Sequence, residues 1–193
     1  MRALLVLLTI IAGFAAGIAL TISAIGPGAA LITRHVGPWE FSPRVGSAEI
    51  DPYARARLFS EGELPLASGE GYALRASRDA GGQPLDTACH YRLSSPVPPA
   101  RFWTVTLTDS AGRLVANLAE RHGFTSAEII RDQDGRFAIE IGPDPLPGNW
   151  LPSSRAQRRF TIVFRFYETP LSASATELDP RMLPRLERIG CAP

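Results

Sequence analysis

The sequence contains no lysine, so all 20 of its basic residues are arginine. An absence this complete indicates a GC-rich genome rather than a particular function. The formal net charge is +1, and a chain with so little excess charge has no global field that would attract nucleic acid or an acidic partner. We therefore expect no nucleic-acid partner.

Cysteine and histidine are also scarce, with two and three copies. Neither cysteine has the Cys-x-x-Cys or Cys/His spacing of a metal site, so we expect no metal and no cofactor. The sequence also lacks a Gly-x-Ser-x-Gly nucleophile elbow. No catalytic residue can be assigned. His90 is a candidate base only if a nucleophile lies beside it, and otherwise it is a strand-surface or hydrogen-bonding histidine.

A long apolar run opens the chain. Its 23 uncharged residues, 3–25, would span about 35 Å as a helix, enough to cross a hydrocarbon core of about 30 Å. The run is longer than the apolar core of a cleaved signal peptide, and the small-x-small motif at 24–26 runs straight into Pro27. We interpret residues 1–26 as a transmembrane anchor that contacts the lipid bilayer through residues 3–25. A cleaved signal peptide is the alternative.

The position of the helix in the chain predicts its membrane orientation, and its small residues predict a face for self-association. Early hydrophobic segments usually leave a very short N-terminus inside and export the rest, so we expect a single-pass inner-membrane protein with a periplasmic domain. Gly13 and Gly17 have the small-xxx-small spacing that lets two helix backbones approach closely. They form a candidate face for self-association. The alternative is that such residues are simply common in membrane helices.

Residues 27–69 are predicted to be an irregular linker with one short helix near 51–60. Asp51-Pro52 supplies an N-cap followed by proline at the first helical position. Trp39 and Phe41 are expected near the lipid interface, where aromatic rings settle.

Residues 70–193 alternate between apolar and polar residues with the period of two that is typical of strands. Strands are predicted at 71–77, 87–93, 101–109, 113–116, 137–141 and 159–168. The first two and the next two are predicted to form hairpins, and residues 132–135 are predicted to form a tight turn before the strand at 137–141. Residues 142–152 predict a long loop and residues 178–189 a tail that is helical at most. The fold class is mainly β: an antiparallel β-sandwich or jelly-roll-like domain with one N-terminal transmembrane helix and one or two short helices.

The two cysteines, Cys89 and Cys191, can close one disulfide if the domain is exported. Such a bond would tie a mid-domain strand to the C-terminal tail. The closed loop is long, which corresponds to a model-dependent stabilisation of about 4–5 kcal/mol. Two unrelated buried thiols are the alternative.

Several blocks of the β domain form a recognisable set. They are Phe102-Trp103-Thr104-Val105-Thr106-Leu107 followed by Asp109 and Gly112, then Asn149-Trp150-Leu151-Pro152, then Phe164-Arg165-Phe166-Tyr167 with Pro170. In order and spacing they resemble the bacterial domain-of-unknown-function 1214 family over about residues 70–170, and the chain is similar to its short, membrane-anchored form. The resemblance implies a β-sandwich and an envelope location. It implies no established reaction, cofactor or catalytic residue.

The best candidate for a ligand surface combines arginine with aromatic side chains. Its members are Arg101, Trp103, Asn149, Trp150, Arg165 and Tyr167. Arginine can bind a carboxylate or phosphate while the rings stack on the rest of a ligand. The alternative is structural: Trp150 plugs one end of the sandwich, Asn149 hydrogen-bonds loop backbone and Arg165 pairs with a neighbouring acid.

We interpret the chain as a membrane-anchored envelope protein whose β-sandwich binds a ligand or an envelope protein, and we do not expect an enzyme. The alternative is an envelope hydrolase acting on an ester or glycan. That hydrolase would need His90 or a pair of carboxylates in an open cleft beside a serine. The carboxylates that could form such a pair for sugar chemistry are Glu128, Asp132 and Glu140.

Overall fold

The computed structural model describes residues 2–25, 33–42, 44–62, 64–67, 69–155, 158–169 and 178–191. Within these residues the chain forms the helices α1 (Arg2–Ile25) and α2 (Pro52–Glu61) and ten strands. The strands are β1 (Arg34–Val36), β2 (Trp39–Phe41), β3 (Gly71–Ala76), β4 (Cys89–Ser94), β5 (Phe102–Thr108), β6 (Gly123–Thr125), β7 (Ala138–Gly142), β8 (Asn149–Pro152), β9 (Thr161–Tyr167) and β10 (Arg185–Cys191). Pro170, which closes the third block of the family-like set, lies outside the described residues.

The strands form two sheets. The larger sheet has the order β1-β2-β3-β9-β5-β6, and its neighbouring strands are antiparallel. The smaller sheet has the order β10-β4-β7-β8, in which β7 and β8 are parallel. A mainly β fold with two sheets and two helices confirms the predicted fold class.

One hydrophobic core lies between the inner faces of the two sheets. The larger sheet contributes Leu74, Val105, Leu107, Ile162, Phe164 and Phe166, and the smaller sheet contributes Tyr91, Leu93, Ile139, Ile141, Leu151 and Leu186. Ring contacts cross the interior: Trp103 stacks on Phe137 at 4.9 Å between centroids, and Tyr91 meets Phe160 edge-on at 5.7 Å. Such pairs add packing energy beyond the area that they bury.

The alternation predicted for 159–168 is confirmed, because Phe160, Ile162, Phe164 and Phe166 are all buried. Val163, on the opposite side of β9, is buried as well. β9 is a central strand in which Val163 lies between Arg75 of β3 and Thr106 of β5, whereas the other residues on that face are only partly buried.

The predicted hairpin between 71–77 and 87–93 is wrong, although its turn forms. The Asp79 N–H donates to the Gln83 carbonyl at 2.9 Å, but beyond that point the chain crosses to the other sheet. β3 pairs with β9, whereas β4 pairs with β10 and β7. The local sequence determines the turn, while the partner of each strand depends on remote strands that also need a covered face.

Three turns of the domain share one design, and they begin at Asp79, Asp109 and Asp132. In each, the aspartate N–H donates to the carbonyl four residues later and the following glycine N–H donates back to the aspartate carbonyl. Each aspartate carboxylate also accepts a backbone N–H from residue i+4. Asp-x-x-Gly is therefore the recurrent turn of this chain, and the turn predicted at 132–135 is confirmed.

Two segments that were not predicted as strands belong to the smaller sheet. The predicted loop 142–152 is wrong at its end, because β8 pairs in parallel with β7. The predicted tail 178–189 is wrong as well: a short 3-10 turn, Pro180–Met182, leads into β10. β10 is an edge strand whose one fully buried side chain is Leu186, so its sequence lacks the alternation that reveals a strand.

The helix predicted near 51–60 is confirmed as α2. The Asp51 carboxylate caps it by accepting the N–H groups of Tyr53 and Ala54 at 2.8 and 3.2 Å. Gly62 ends the helix in the left-handed conformation, at φ 65°. This is the usual glycine C-cap.

The segment predicted as an irregular linker also contributes β1 and β2 to the larger sheet. The expectation that Trp39 and Phe41 lie near lipid is wrong, because both side chains are buried in the core and Trp39 is only 1% exposed. The sandwich therefore extends upstream of residue 70. An aromatic residue close to an apolar helix in the sequence can therefore belong to the protein core.

α1 is a helix of 24 residues, long and apolar enough to cross a membrane, although a signal sequence would meet the same criteria. Gly13 and Gly17 lie on this helix, and a Cβ at either would meet no described atom within 4 Å. The candidate pairing face is thus open in the single chain.

Candidate functional site

A disulfide bond joins the start of β4 to the end of β10. Cys89 and Cys191 are directly opposed in the antiparallel register of the two strands, and they are bonded across 102 residues of sequence. Cys89 is buried, whereas Cys191 is exposed. One side of the bond therefore faces solvent at the edge of the smaller sheet.

Beside this disulfide lies a cleft of about 710 Å³. Its walls come from the chain before β4, from the start of the loop after β7, from the segment between β8 and β9, and from β10. Four arginines line it together with one acidic residue, Asp86. We call this the arginine cleft, and its arginines are Arg155, Arg158, Arg159 and Arg188.

Arg188 forms the inner wall of the cleft and is held from several sides. Its Nε lies 2.7 Å from Oδ2 of the buried Asp79, an ion pair whose N–H is not aligned for a hydrogen bond. One terminal nitrogen donates to the Pro84 carbonyl at 2.9 Å, and the guanidinium lies over the Tyr91 ring. Arg188 therefore acts as a structural cation.

Arg158 and Arg159 are fixed through their backbone against the loop that carries Asp86. The Thr87 N–H donates to the Arg158 carbonyl at 3.2 Å, and Asp86 and Arg159 form an isolated β-bridge. The Arg158 Nε lies 3.4 Å from the Asp86 carboxylate. The two side chains thus start from defined positions, yet both residues are exposed.

The Asp86 carboxylate is held in its ionised form. A hydrogen bond from the Ala88 N–H, at 3.0 Å, is the main cause that lowers its pKa, and Arg158 and Arg159 lower it further. The ionised carboxylate attracts Arg158 and Arg159 and does not act as a proton donor.

His90 lies next to the cleft on the outer face of the smaller sheet. Its Nε2 is 3.9 Å from Oδ2 of Asp144, and Asp144 accepts a hydrogen bond from Arg155 at 2.6 Å. The imidazole packs so closely over Gly142 that a Cβ at residue 142 would overlap it. This close packing points to a positioned surface histidine.

The structure separates the predicted ligand surface into a core part and an exposed part. Trp103 is buried between the sheets. Asn149 is also buried: its amide donates to the carbonyls of Ile130 and Ala138, and its oxygen accepts the Ile130 N–H. Trp150 donates its indole N–H to the Gly142 carbonyl at 3.1 Å.

The other three members of that predicted surface lie on the larger sheet or next to it. Exposed Arg101 pairs with Glu168 at 2.9 Å, and Tyr167 packs against Phe102. Arg165 lies 3.4 Å from the Thr106 hydroxyl. The six residues therefore do not converge on one surface.

Sequence reasoning missed the arginine cleft because its parts are remote in the chain. Only Arg158-Arg159 is visible as a local pair, and nothing in the sequence places it beside Asp86 or β10. The cysteines were a partial signal, since a disulfide between Cys89 and Cys191 brings the chain around Asp86 close to β10.

A family model described as "Protein of unknown function (DUF1214)" matches residues 70–171, more than half of the chain. The chain belongs to the DUF1214 family. The DUF1214 region runs from the turn before β3 to just beyond β9, so it contains three arginines of the cleft. Arg188 and Cys191, on β10, lie outside it.

One solved structure shares the fold of this DUF1214 protein. The crystal structure of the VPA0106 protein from Vibrio parahaemolyticus is 21% identical with a TM-score of 0.57, and the alignment covers 73% of this chain and 36% of that one. A putative uncharacterized protein from Burkholderia cenocepacia is 16% identical with a TM-score of 0.41, over 67% and 32%. The chain thus spans about a third of the length of each. No curated protein matches it.

Proposed function

We propose that this DUF1214 protein is a single-pass protein of the bacterial inner membrane whose β-sandwich lies on the periplasmic side and binds a ligand or an envelope partner. α1 serves as the anchor in the bilayer. The sandwich is a binding module rather than an enzyme.

The disulfide between Cys89 and Cys191 is the observation that carries this proposal. Disulfides form and persist in oxidising compartments such as the bacterial periplasm and are rare in the cytosol. An apolar helix of 24 residues precedes the sandwich. A chain that has both features is best explained by an anchored domain on the far side of the membrane.

Binding is favoured over catalysis by the contacts of the ionisable groups. A hydrolase needs a nucleophile within hydrogen-bond reach of its base, whereas the contacts of His90 are to Asp144 and Gly142. The carboxylates considered for sugar chemistry are also engaged, since Glu140 pairs with Arg92 and Asp132 pairs with Arg136. The arginine cleft offers volume and unshared positive charge, which suit a ligand.

A pair of reporter fusions tests the location. Alkaline phosphatase fused to the C-terminus of the full chain should be active, and a green fluorescent protein fused at the same place should be dark. A control chain without residues 2–25 should reverse both readings. A fluorescent fusion of the full chain would overturn the proposed location.

Fractionation of cells that express the full chain separates an anchor from a signal peptide. The protein recovered from the membrane fraction should have its full-length mass. Recovery of a shorter protein from the soluble periplasmic fraction would show that α1 is cleaved.

A further inference from the structure

We propose that the arginine cleft binds a small organic ligand through a phosphate group. This inference rests on the binding role proposed above and names the chemical class of the ligand and the side chains that hold it. Arg158 and Arg159 are the principal contacts, and Arg155 lies on the same side of the cleft.

The first argument is the imbalance of charge in the cleft. Of its four arginines, Arg188 is neutralised by the buried Asp79 and Arg155 by Asp144. Asp86 lies near Arg158 at the long distance of 3.4 Å. In the part of the chain that the structure describes, Arg159 has no ion pair. Arg158 and Arg159 therefore bring two positive charges to the cleft, against the single negative charge of Asp86.

The second argument is the number of donors that remain. A guanidinium has five N–H donors in a planar fork that matches the oxygens of phosphate. Arg158 directs its Nε towards Asp86, so its terminal amino groups can donate to the phosphate. A phosphate monoester carries nearly two negative charges and can accept from two arginines at once, whereas a carboxylate carries one.

The third argument is preorganisation. The backbone of Arg158 and Arg159 is hydrogen-bonded to the loop that carries Asp86, and the disulfide fixes the strand ends on the opposite side. Binding then orders only the outer parts of the side chains, which lowers its entropic cost.

The fourth argument is size. A cleft of about 710 Å³ is far larger than a phosphate ion and lies in the range of pockets that hold whole small molecules. Pro84, Ala88 and Pro143 contribute apolar lining. The ligand is therefore an organic phosphate, either a soluble ester or the headgroup of a phospholipid.

Titration of the full chain in a non-ionic detergent with inorganic phosphate tests the core of the proposal. Isothermal titration calorimetry should show one saturable site, and the double variant Arg158→Gln/Arg159→Gln should weaken binding by tenfold or more. Both positions are exposed, so the variant should keep its melting temperature, and the single variant Arg159→Gln provides a milder version.

Arg101→Gln is the matched control, because it removes an exposed, ion-paired arginine from the other candidate surface. It should leave the phosphate affinity unchanged. A dissociation constant of about 50 mM corresponds to a binding free energy of only about 2 kcal/mol. Absence of saturable phosphate binding up to that concentration would overturn the proposal. So would a loss of binding in Arg101→Gln but not in the cleft variants, or acetate binding as tightly as phosphate.

Dihexanoyl phosphatidic acid and glycerol 3-phosphate separate the two sources of the phosphate. Tighter binding of the lipid that is lost in the cleft variants supports a headgroup site, and tighter binding of the soluble ester supports a periplasmic metabolite. Failure of both, with saturable binding of a neutral ligand in the cleft, would overturn the phosphate class while leaving the binding role intact. A cytoplasmic location would overturn only the proposed compartment.

Discussion

Trp39 donates its indole N–H to the carbonyl oxygen of Pro184 at 2.7 Å, across 145 residues of sequence. Trp39 belongs to β2 of the larger sheet, and Pro184 directly precedes β10 of the smaller sheet. The bond is buried and links the first part of the sandwich to its last strand. The chain upstream of the DUF1214 region is thus an integral part of the fold.

Replacing Trp39 with phenylalanine should destabilise the protein by about 1–3 kcal/mol, because the Pro184 carbonyl would be buried without its donor. Urea unfolding of the full chain in detergent measures the change. The control is Phe59→Leu, at a position that is 81% exposed, which should change nothing. An unaltered urea midpoint in the Trp39 variant would show that this hydrogen bond does not contribute to the stability of the fold.

Removing the disulfide with Cys89→Ser/Cys191→Ser should lower the free energy of unfolding by about 4–5 kcal/mol, since a loop of about 100 residues is no longer closed in the unfolded chain. Wild-type protein with a reductant should approach the stability of the variant, and the variant itself should not respond to reductant. Equal stability of the oxidised and reduced wild type would contradict the prediction.

The turn aspartate Asp109 should make stability depend on pH. The hydrogen bond from the Arg113 backbone N–H is the main cause that lowers the pKa of Asp109 in the folded protein. A lowered folded pKa means that the ionised carboxylate stabilises the protein above the unfolded pKa of about 4, and that this contribution is lost as the pH falls below it.

Asp109→Asn should therefore be less stable than wild type at neutral pH, and the gap should narrow as the pH falls below about 4. Thermal melting from pH 7 to pH 3 measures the gap. Glu49→Gln, in an exposed loop, is the control and should follow the wild-type curve. A gap that stays constant with pH would mean that the Asp109 charge plays no part.

The packing of His90 over Gly142 predicts a specific rescue. Gly142→Ala places a methyl group where the imidazole lies, and overpacking of this kind should cost about 1–3 kcal/mol. In a His90→Ala background the same substitution should cost little, because the ring is gone. A double-mutant cycle by urea unfolding measures the coupling, and an equal cost in both backgrounds would contradict the contact.

Features with a local cause could be predicted from the sequence. The alternation in β9 reflects burial of one face, Asp51-Pro52 begins α2, and Asp132 begins a tight turn. The family resemblance rests on blocks of such local patterns. All of these depend on side chains that are close together in the chain.

Features with a remote cause could not be predicted. β4 separates from β3 because its partners are β7 and β10, and β10 looks like a tail because it is an exposed edge. The predicted ligand surface treated Trp103 and Asn149 as accessible, whereas Trp103 is buried in the core and Asn149 is buried at the start of β8. The arginine cleft arises only when the segment that carries Arg158 folds beside β10, which carries Arg188.

Proteolysis of intact spheroplasts tests the central claim, that α1 anchors the sandwich on the outer side of the inner membrane. Added protease, after mild reduction to open the disulfide, should digest the domain and leave a short membrane-protected fragment that contains α1. A cytosolic marker protein should survive as the control for membrane integrity. A domain that resists the protease until the spheroplasts are lysed, and is then digested, would contradict the account.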